Sequence, residues 1–338
     1  GGFYRRKETF DGVERDVLGV SRALGEGERI YGLGQHTRST TSLDLRGSVV
    51  DLTNTDAYDD GAKGYRPDAT RLYESFPIYL GLRGGVAYGV FTDNTHRMRF
   101  DVARRDPTRL EASATGGAID QYLLAGPSFK DVLRRYTRVT GRAPLPAPWS
   151  IGLHLSRWEG PCDVTTDRPF CSAAQVVDLA RRLRDLRIPA DGVFLDIQHM
   201  DGYRSFTFDP KRFADPVDLT TQLAALDVHA SVIVDPGIKV DPGYRVYADG
   251  LAGGHFLRSP DGAVYVGEVW PGAAVFPDFS AKKTRSWWSE LAAGLGRSGV
   301  RGAWIDMNEP SNFVAGGTAP DALLVDGDGR ATTMAELH

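Results

Sequence analysis

Two cysteines, four methionines and seven histidines in 338 residues leave little material for redox chemistry or a soft-metal centre. The histidines, at positions 36, 96, 154, 199, 229, 255 and 338, are scattered, and none has the spacing of a metal motif, so neither a metal nor a cofactor is expected. Cys162 and Cys171 bracket a short loop that could be cross-linked or could hold two free thiols; the sequence leaves both open. No apolar run is long enough for a transmembrane helix. A secretion-signal pattern is also missing, but the chain starts at Gly1 without an initiating Met, so the precursor stays open, with a soluble cytoplasmic location favoured slightly over secretion. Excess charge is lacking: 40 basic side chains stand against 44 acidic ones, a net of -4, which supplies no broad attraction for nucleic acid or anionic lipid. There is no Gly-x-Ser-x-Gly elbow, and Gly32, Gly34, Gly84 and Gly85 lack the strand-turn-helix setting of a phosphate loop. Internal repeats and low-complexity tracts are absent too.

What remains is an ordinary globular composition, 41% hydrophobic and 25% charged, on a chain long enough for two domains. Residues 1–145 contain short alternating runs such as Tyr79-Leu-Gly-Leu82 and Val86-Ala-Tyr-Gly-Val-Phe91, broken by Gly-rich and Asp/Asn-rich turns, as in an antiparallel β-sandwich. An amphipathic helix over 129–139 and the linker Arg142-Ala-Pro-Leu-Pro-Ala-Pro148 close this part. From residue 146 the rhythm changes to strand followed by helix. Strands are expected at Trp149–Leu155, Gly192–Ile197, Val228–Asp235 and Gly302–Asp306, with helices at Ser172–Arg184, Leu219–Leu226 and Thr284–Leu295. That is about half of a (β/α)8 barrel, with the irregular stretch 237–280 as a long loop or insertion.

Three of these strands end in an acid: Asp196, Asp235 and Asp306. In parallel α/β architectures ligands gather beyond the C-terminal strand ends, so recurring carboxylates there point to a polar pocket, although each alone could be a helix cap. Trp270, Trp304, Phe206 and Phe208 accompany them. Aromatic faces beside carboxylates suit a sugar, whose C–H faces pack on rings while its hydroxyls donate to acids. A Trp-rich core is the competing reading. Glu309 lies three positions after Asp306, but Pro310 argues against a continuous helix there, so Glu309 is expected to support or cap the pocket.

The phrases Tyr31-Gly-Leu-Gly-Gln-His36, Asn54-Thr-Asp-Ala-Tyr58, Phe194-Leu-Asp-Ile197, Asp235-Pro-Gly-Ile238, Val269-Trp-Pro-Gly272, Phe276-Pro-Asp-Phe279 and Trp304-Ile-Asp-Met-Asn-Glu-Pro310, in that order, resemble the α-glucosidases of glycoside hydrolase family thirty-one. The resemblance implies an N-terminal β-sandwich followed by a β/α barrel. It implies that Asp306 is the nucleophile of a retaining α-glucosidase acting on terminal, non-reducing α-linked glucose. It further implies that Asp196 and Ile197 bind the first sugar, that Trp270 and Trp304 wall it, and that Asp56 reaches the mouth from an N-terminal loop. Asp235, Met307 and Glu309 are expected in support. Gln198 departs from the pattern, since relatives commonly carry an acid after Asp-Ile.

The family's acid/base falls well after the nucleophile, so it is expected to be absent from this chain and to come from a missing C-terminal part or a second polypeptide. With that complement, an α-linked oligosaccharide or α-glucoside is the expected partner. Transglycosylation, lyase chemistry of the same family and a non-catalytic carbohydrate-binding fragment are the alternatives.

Overall fold

Alternation sets the first half of the molecule. Along Val13–Ala23 the inward positions Val17, Gly19 and Ser21 are buried while their neighbours reach solvent, the period-2 pattern of a half-covered strand. The computed structural model describes residues 1–35, 42–53, 72, 74–314 and 317–334. It divides into two compact units, the first comprising Gly1–Ala143 with short later segments.

In this unit β1 (Gly2–Phe10), β2 (Val13–Ala23), β3 (Arg29–Gly32), β4 (Ser48–Leu52), β5 (Ile78–Arg83), β6 (Val86–Thr92), β7 (Met98–Val102), β8 (Arg109–Ala114) and β9 (Gln121–Ala125) form two antiparallel sheets. Their orders are β1-β2-β8-β7-β4 and β3-β5-β6-β9. Ile30, Tyr79 and Val90 from one sheet meet Val50, Met98, Phe100 and Leu110 from the other in a shared core, which makes the unit a sandwich. Helix α1 (Phe129–Thr140) begins at a reciprocal cap, in which the Ser128 hydroxyl accepts from the Asp131 N–H and the Asp131 side chain accepts from the Ser128 N–H. Its Val132 packs on Ile78, Ala87, Phe91 and Leu124. Gly89 permits that approach, because a Cβ there would lie 2.5 Å from a Val132 methyl.

The second unit, Pro144–Ala319 with Leu323–Thr332, alternates strands and helices. In chain order it contains β10 (Leu153–Ser156), α2 (Ala173–Asp185), β11 (Ala190–Leu195), α3 (Pro216–Ala224), β12 (His229–Val234) and β13 (Ile238–Lys239). Then follow α4 (Arg245–Ala252), β14 (Gly267–Val269), β15 (Gly272–Val275), α5 (Lys282–Arg297) and β16 (Gly302–Ile305). Strands β10-β11-β12-β16 form one parallel sheet. Four consecutive parallel strands with intervening helices are half the complement of a (β/α)8 barrel. Within 237–280, β13, β15 and β14 build a small antiparallel sheet beside α4.

One element begins later than its apolar pattern suggests. Pro148–Ile151 is a 3-10 turn, and the strand starts only at Leu153. Pro148 presets the turn, and its result is to aim Trp149 inward, where the indole stacks on His154 at 5.7 Å and approaches His229 at 4.7 Å between ring centres. Gly302 belongs to this crowded floor, since a Cβ there would meet Ser231 Oγ at 2.4 Å. Helix α3 begins earlier than expected because Asp215 caps it and Pro216 fits its first turn.

No helix among the described residues is long and apolar enough to cross a membrane.

Candidate active site

The strand pleat decides where the acids point. Val193 and Leu195 of β11, and Val232 and Val234 of β12, pack against helix residues Val176, Ala180, Leu219 and Leu223. The alternate positions face the other side: Ile233 and Trp304 pair in register and pack with Ile197 and Met200. Because side chains alternate, Phe194 shares its face with Asp196, Ile233 with Asp235, and Trp304 with Asp306. All three acids therefore continue the inner side of the sheet beyond its C-terminal edge. On the outer side of β16, Ile305 is 73% exposed, whereas Val234, its register partner, is buried.

Asp196 starts a single 3-10 turn, Ile197–His199, by accepting from the Ile197 N–H at 2.6 Å. Burial pushes its carboxyl above the usual range and the Asp306 charge adds to this, against the lowering effect of the Ile197 N–H. Beneath the turn, His199 Nδ1 lies 2.8 Å from the Asp196 carbonyl oxygen, so this nitrogen carries the proton and donates. The ring lies among Phe208 and Phe213. Burial lowers its pKa from 6.5 to about 4, with Arg212 nearby as a further lowering charge.

Between these two values the unfolded chain takes up a proton that the folded protein refuses, so the stability present above pH 6.5 drains as pH falls towards 4. The window corresponds to on the order of 3 kcal/mol. We expect the melting temperature of His199→Gln, which keeps a donor but cannot titrate, to fall less than that of the wild type between pH 7 and 4.5. Parallel melting curves would sink this assignment.

Asp235 is 6% exposed, and its Oδ1 has no hydrogen-bond partner among the described residues. Desolvation, followed by the charges of Asp306, Asp196 and Glu309, raises its pKa from 3.8 to about 8. The four acids thus share one electrostatic environment. Asp306 itself is half-buried, and its carbonyl oxygen accepts from Asn308 Nδ2 at 2.6 Å. Met307 adopts a positive φ of 57°, which turns the chain sharply after the strand. The Glu309 carboxylate accepts from the Ser311 hydroxyl.

The segment after this turn is stitched to β14, which explains how a tryptophan distant in sequence joins the site. The Glu268 N–H donates to Asn312 Oδ1 at 3.1 Å, and the Phe313 N–H donates to the Glu268 carbonyl at 2.8 Å. Trp270, in the turn between β14 and β15, then meets Phe313 edge-on at 5.3 Å and Trp158 at 5.5 Å. These rings are 42%, 48% and 51% exposed respectively, so they form an open aromatic platform. Trp304 instead sits half-buried against Phe194 at 6.5 Å.

Trp158 and Phe313 were not among the residues expected from sequence; each is a lone aromatic in a loop, and only their position directly after a strand-end segment hinted at them. Phe206 and Phe208 go the other way, packing against the helix-side core. Asp56 lies outside the described residues.

Trp158 begins the loop that carries the two cysteines, and their sulfurs are bonded, with the Cα atoms 5.6 Å apart. Arg212 anchors this loop to the Asp196 turn: one guanidinium nitrogen donates to the Cys171 carbonyl at 2.9 Å and another to the Gln198 carbonyl at 2.7 Å. Gln198 Nε2 donates to the Arg157 carbonyl at 3.0 Å. As an amide, Gln198 serves here as a strut between the two strand-end loops. Among the described residues no group of three or more His, Cys, Asp or Glu side chains is arranged to hold a metal ion.

The sequence profile of the glycosyl hydrolases family 31 TIM-barrel domain matches residues 143–338, and that of the glycosyl hydrolase 31 N-terminal galactose mutarotase-like domain matches residues 4–101. The chain is 39% identical over 317 residues to alpha-glucosidase 2 of Bacillus thermoamyloliquefaciens, covering 94% of this chain and 38% of that protein. It is 34% identical over 294 residues to an alpha-glucosidase of Saccharolobus solfataricus, covering 87% of this chain and 40% of the relative. Among solved structures, a family 31 alpha-glucosidase from Bacteroides thetaiotaomicron superposes with a TM-score of 0.75 at 32% identity, over 89% of this chain and 48% of that one. The glucosidase II alpha subunit superposes with a TM-score of 0.81 at 24% identity, over 98% of this chain and 37% of that one, a likeness of fold. The chain thus spans about two fifths of the length of these curated relatives.

Proposed function

The chain belongs to glycosyl hydrolase family 31, and from that membership we propose that it carries the nucleophile and the sugar-binding floor of a retaining α-glucosidase. The observation that supports this reading most is the set of three inward-facing acids, Asp196, Asp235 and Asp306, at the mouths of adjacent parallel strands. The substrate is a terminal α-linked glucosyl unit. Asp306, partly open to solvent, attacks the anomeric carbon, and a carboxylic acid other than the four gathered here protonates the departing oxygen. Water activated by that second group then attacks the glycosyl-enzyme ester, and two inversions give net retention. Asp196, Ile197 and Trp304 hold the glucosyl ring, the first through its hydroxyls and the others through its apolar faces. Met307 and Glu309 shape the turn that presents Asp306. The platform of Trp158, Trp270 and Phe313 receives the leaving-group sugar.

A fluorinated α-glucosyl fluoride, which slows hydrolysis of the covalent intermediate more than its formation, tests this directly. Peptide mapping of the complete enzyme after trapping is expected to find the sugar on Asp306. A label on any other residue removes the nucleophile assignment.

The exposed platform also favours a second reaction of the same intermediate. A second sugar stacked there can present its hydroxyl in place of water, so elongated saccharides are expected beside free glucose at high maltose concentration.

A further inference from the structure

A buried polar atom without a partner is costly unless something that binds later satisfies it. Among the described residues Asp235 Oδ1 is such an atom, on a residue 94% buried at the end of the strand lying between those that carry Asp196 and Asp306. The neighbouring Ser205 hydroxyl donates to the Asp235 main-chain carbonyl at 2.9 Å. We propose that Asp235 is a specificity-determining ligand of the substrate, its carboxyl group reserved for one hydroxyl of the glucosyl ring held between Asp196 and Asp306.

The inference rests on the glucosidase reading and adds a chemical role that the other acids do not fill. An ionised carboxylate only accepts hydrogen bonds, yet each sugar hydroxyl both donates and accepts. With Asp306 ionised for attack, the lone pairs of the ring hydroxyls need a donor. Asp235 is kept protonated by burial and by the charges of Asp306, Asp196 and Glu309 that face it, so it donates its O–H and still accepts through its other oxygen. It loses that ability as pH rises through about 8. Ionisation would also place one more buried negative charge beside Asp306.

The test is kinetic, in the complete enzyme, with an aryl α-glucoside and its 2-, 3-, 4- and 6-deoxy analogues. Asp235→Ala is expected to lower kcat/KM for the parent glucoside by roughly 10- to 100-fold, the loss that follows when a buried partner is removed. It should leave nearly unchanged the one analogue that lacks the contacted hydroxyl. Asp235→Asn, which retains a donor and an acceptor, should recover much of the loss and show no alkaline fall in kcat/KM near pH 8. Equal losses across all analogues would mark Asp235 as structural and overturn the inference, as would no loss on any of them. Should the alanine variant fail to fold, the alkaline limbs of wild type and Asp235→Asn decide: identical limbs overturn the proposal. A folded wild-type enzyme inert towards the parent glucoside overturns the glucosidase reading itself, a result distinct from an active enzyme with a flat analogue profile.

Discussion

Replacing Asp306 by alanine in the complete enzyme lowers kcat on an aryl α-glucoside by roughly 10⁴-fold or more, and azide restores part of the activity. The expected product of rescue is the β-glucosyl azide, because the small anion enters from the face that the carboxylate has vacated. The structure motivates both outcomes. Asp306 follows a short parallel strand, shares the inner face with Trp304, and is less buried than Asp196 or Asp235. A carboxylate left partly open at a strand mouth can approach a ring carbon. Rate measurement with product analysis by NMR checks this. Activity of Asp306→Ala within tenfold of wild type would leave the enzyme without its proposed nucleophile.

Replacing Asp196 is expected to have the next largest effect, a fall in kcat/KM of roughly 10²- to 10⁴-fold for alanine, as expected from losing two charge-assisted hydrogen bonds to sugar hydroxyls. Asparagine should fall between alanine and wild type, since its oxygen can still accept from the Ile197 N–H that shapes the turn. Asp196 is 8% exposed and lies in the electrostatic reach of Asp306, so sugar hydroxyls are expected to supply the hydrogen bonds that burial takes from water. Steady-state kinetics alongside melting temperatures separates the alternatives. If alanine lowers the melting temperature but leaves kcat/KM unchanged, Asp196 is a cap and no ligand.

Much of the fold was legible because its signals are local. The alternating runs at 79–82 and 86–91, the amphipathic pattern over 129–139 and the Pro-rich linker are each readable within a few residues. The same holds for the three acids, which end apolar runs in the sequence and end parallel strands in the structure. Trp149 was misplaced for the converse reason. It continues an apolar run, but Pro148 converts that run into a turn, and the indole fills the sheet's inner floor. Phe206 and Phe208, equally aromatic and equally near an acid in sequence, pack into the helix-side core. No local pattern distinguishes a ring facing a pocket from one facing a core.

The sequence by itself determined the family, the order of strands and helices, and which carboxylates stand at strand ends, because backbone periodicity and side-chain chemistry are properties of neighbouring residues. Only the tertiary structure decided which aromatics meet: Trp158, Trp270 and Phe313 come from three separate loops, joined through Asn312 and the edge of β14. It also set the acid strengths. Burial and the charges of Asp306, Asp196 and Glu309, brought from separate segments, raise the Asp235 pKa, and burial among the packed rings lowers that of His199. Desolvation and Coulomb interactions act through space over a few ångströms, so they are set once the chain has brought these groups together.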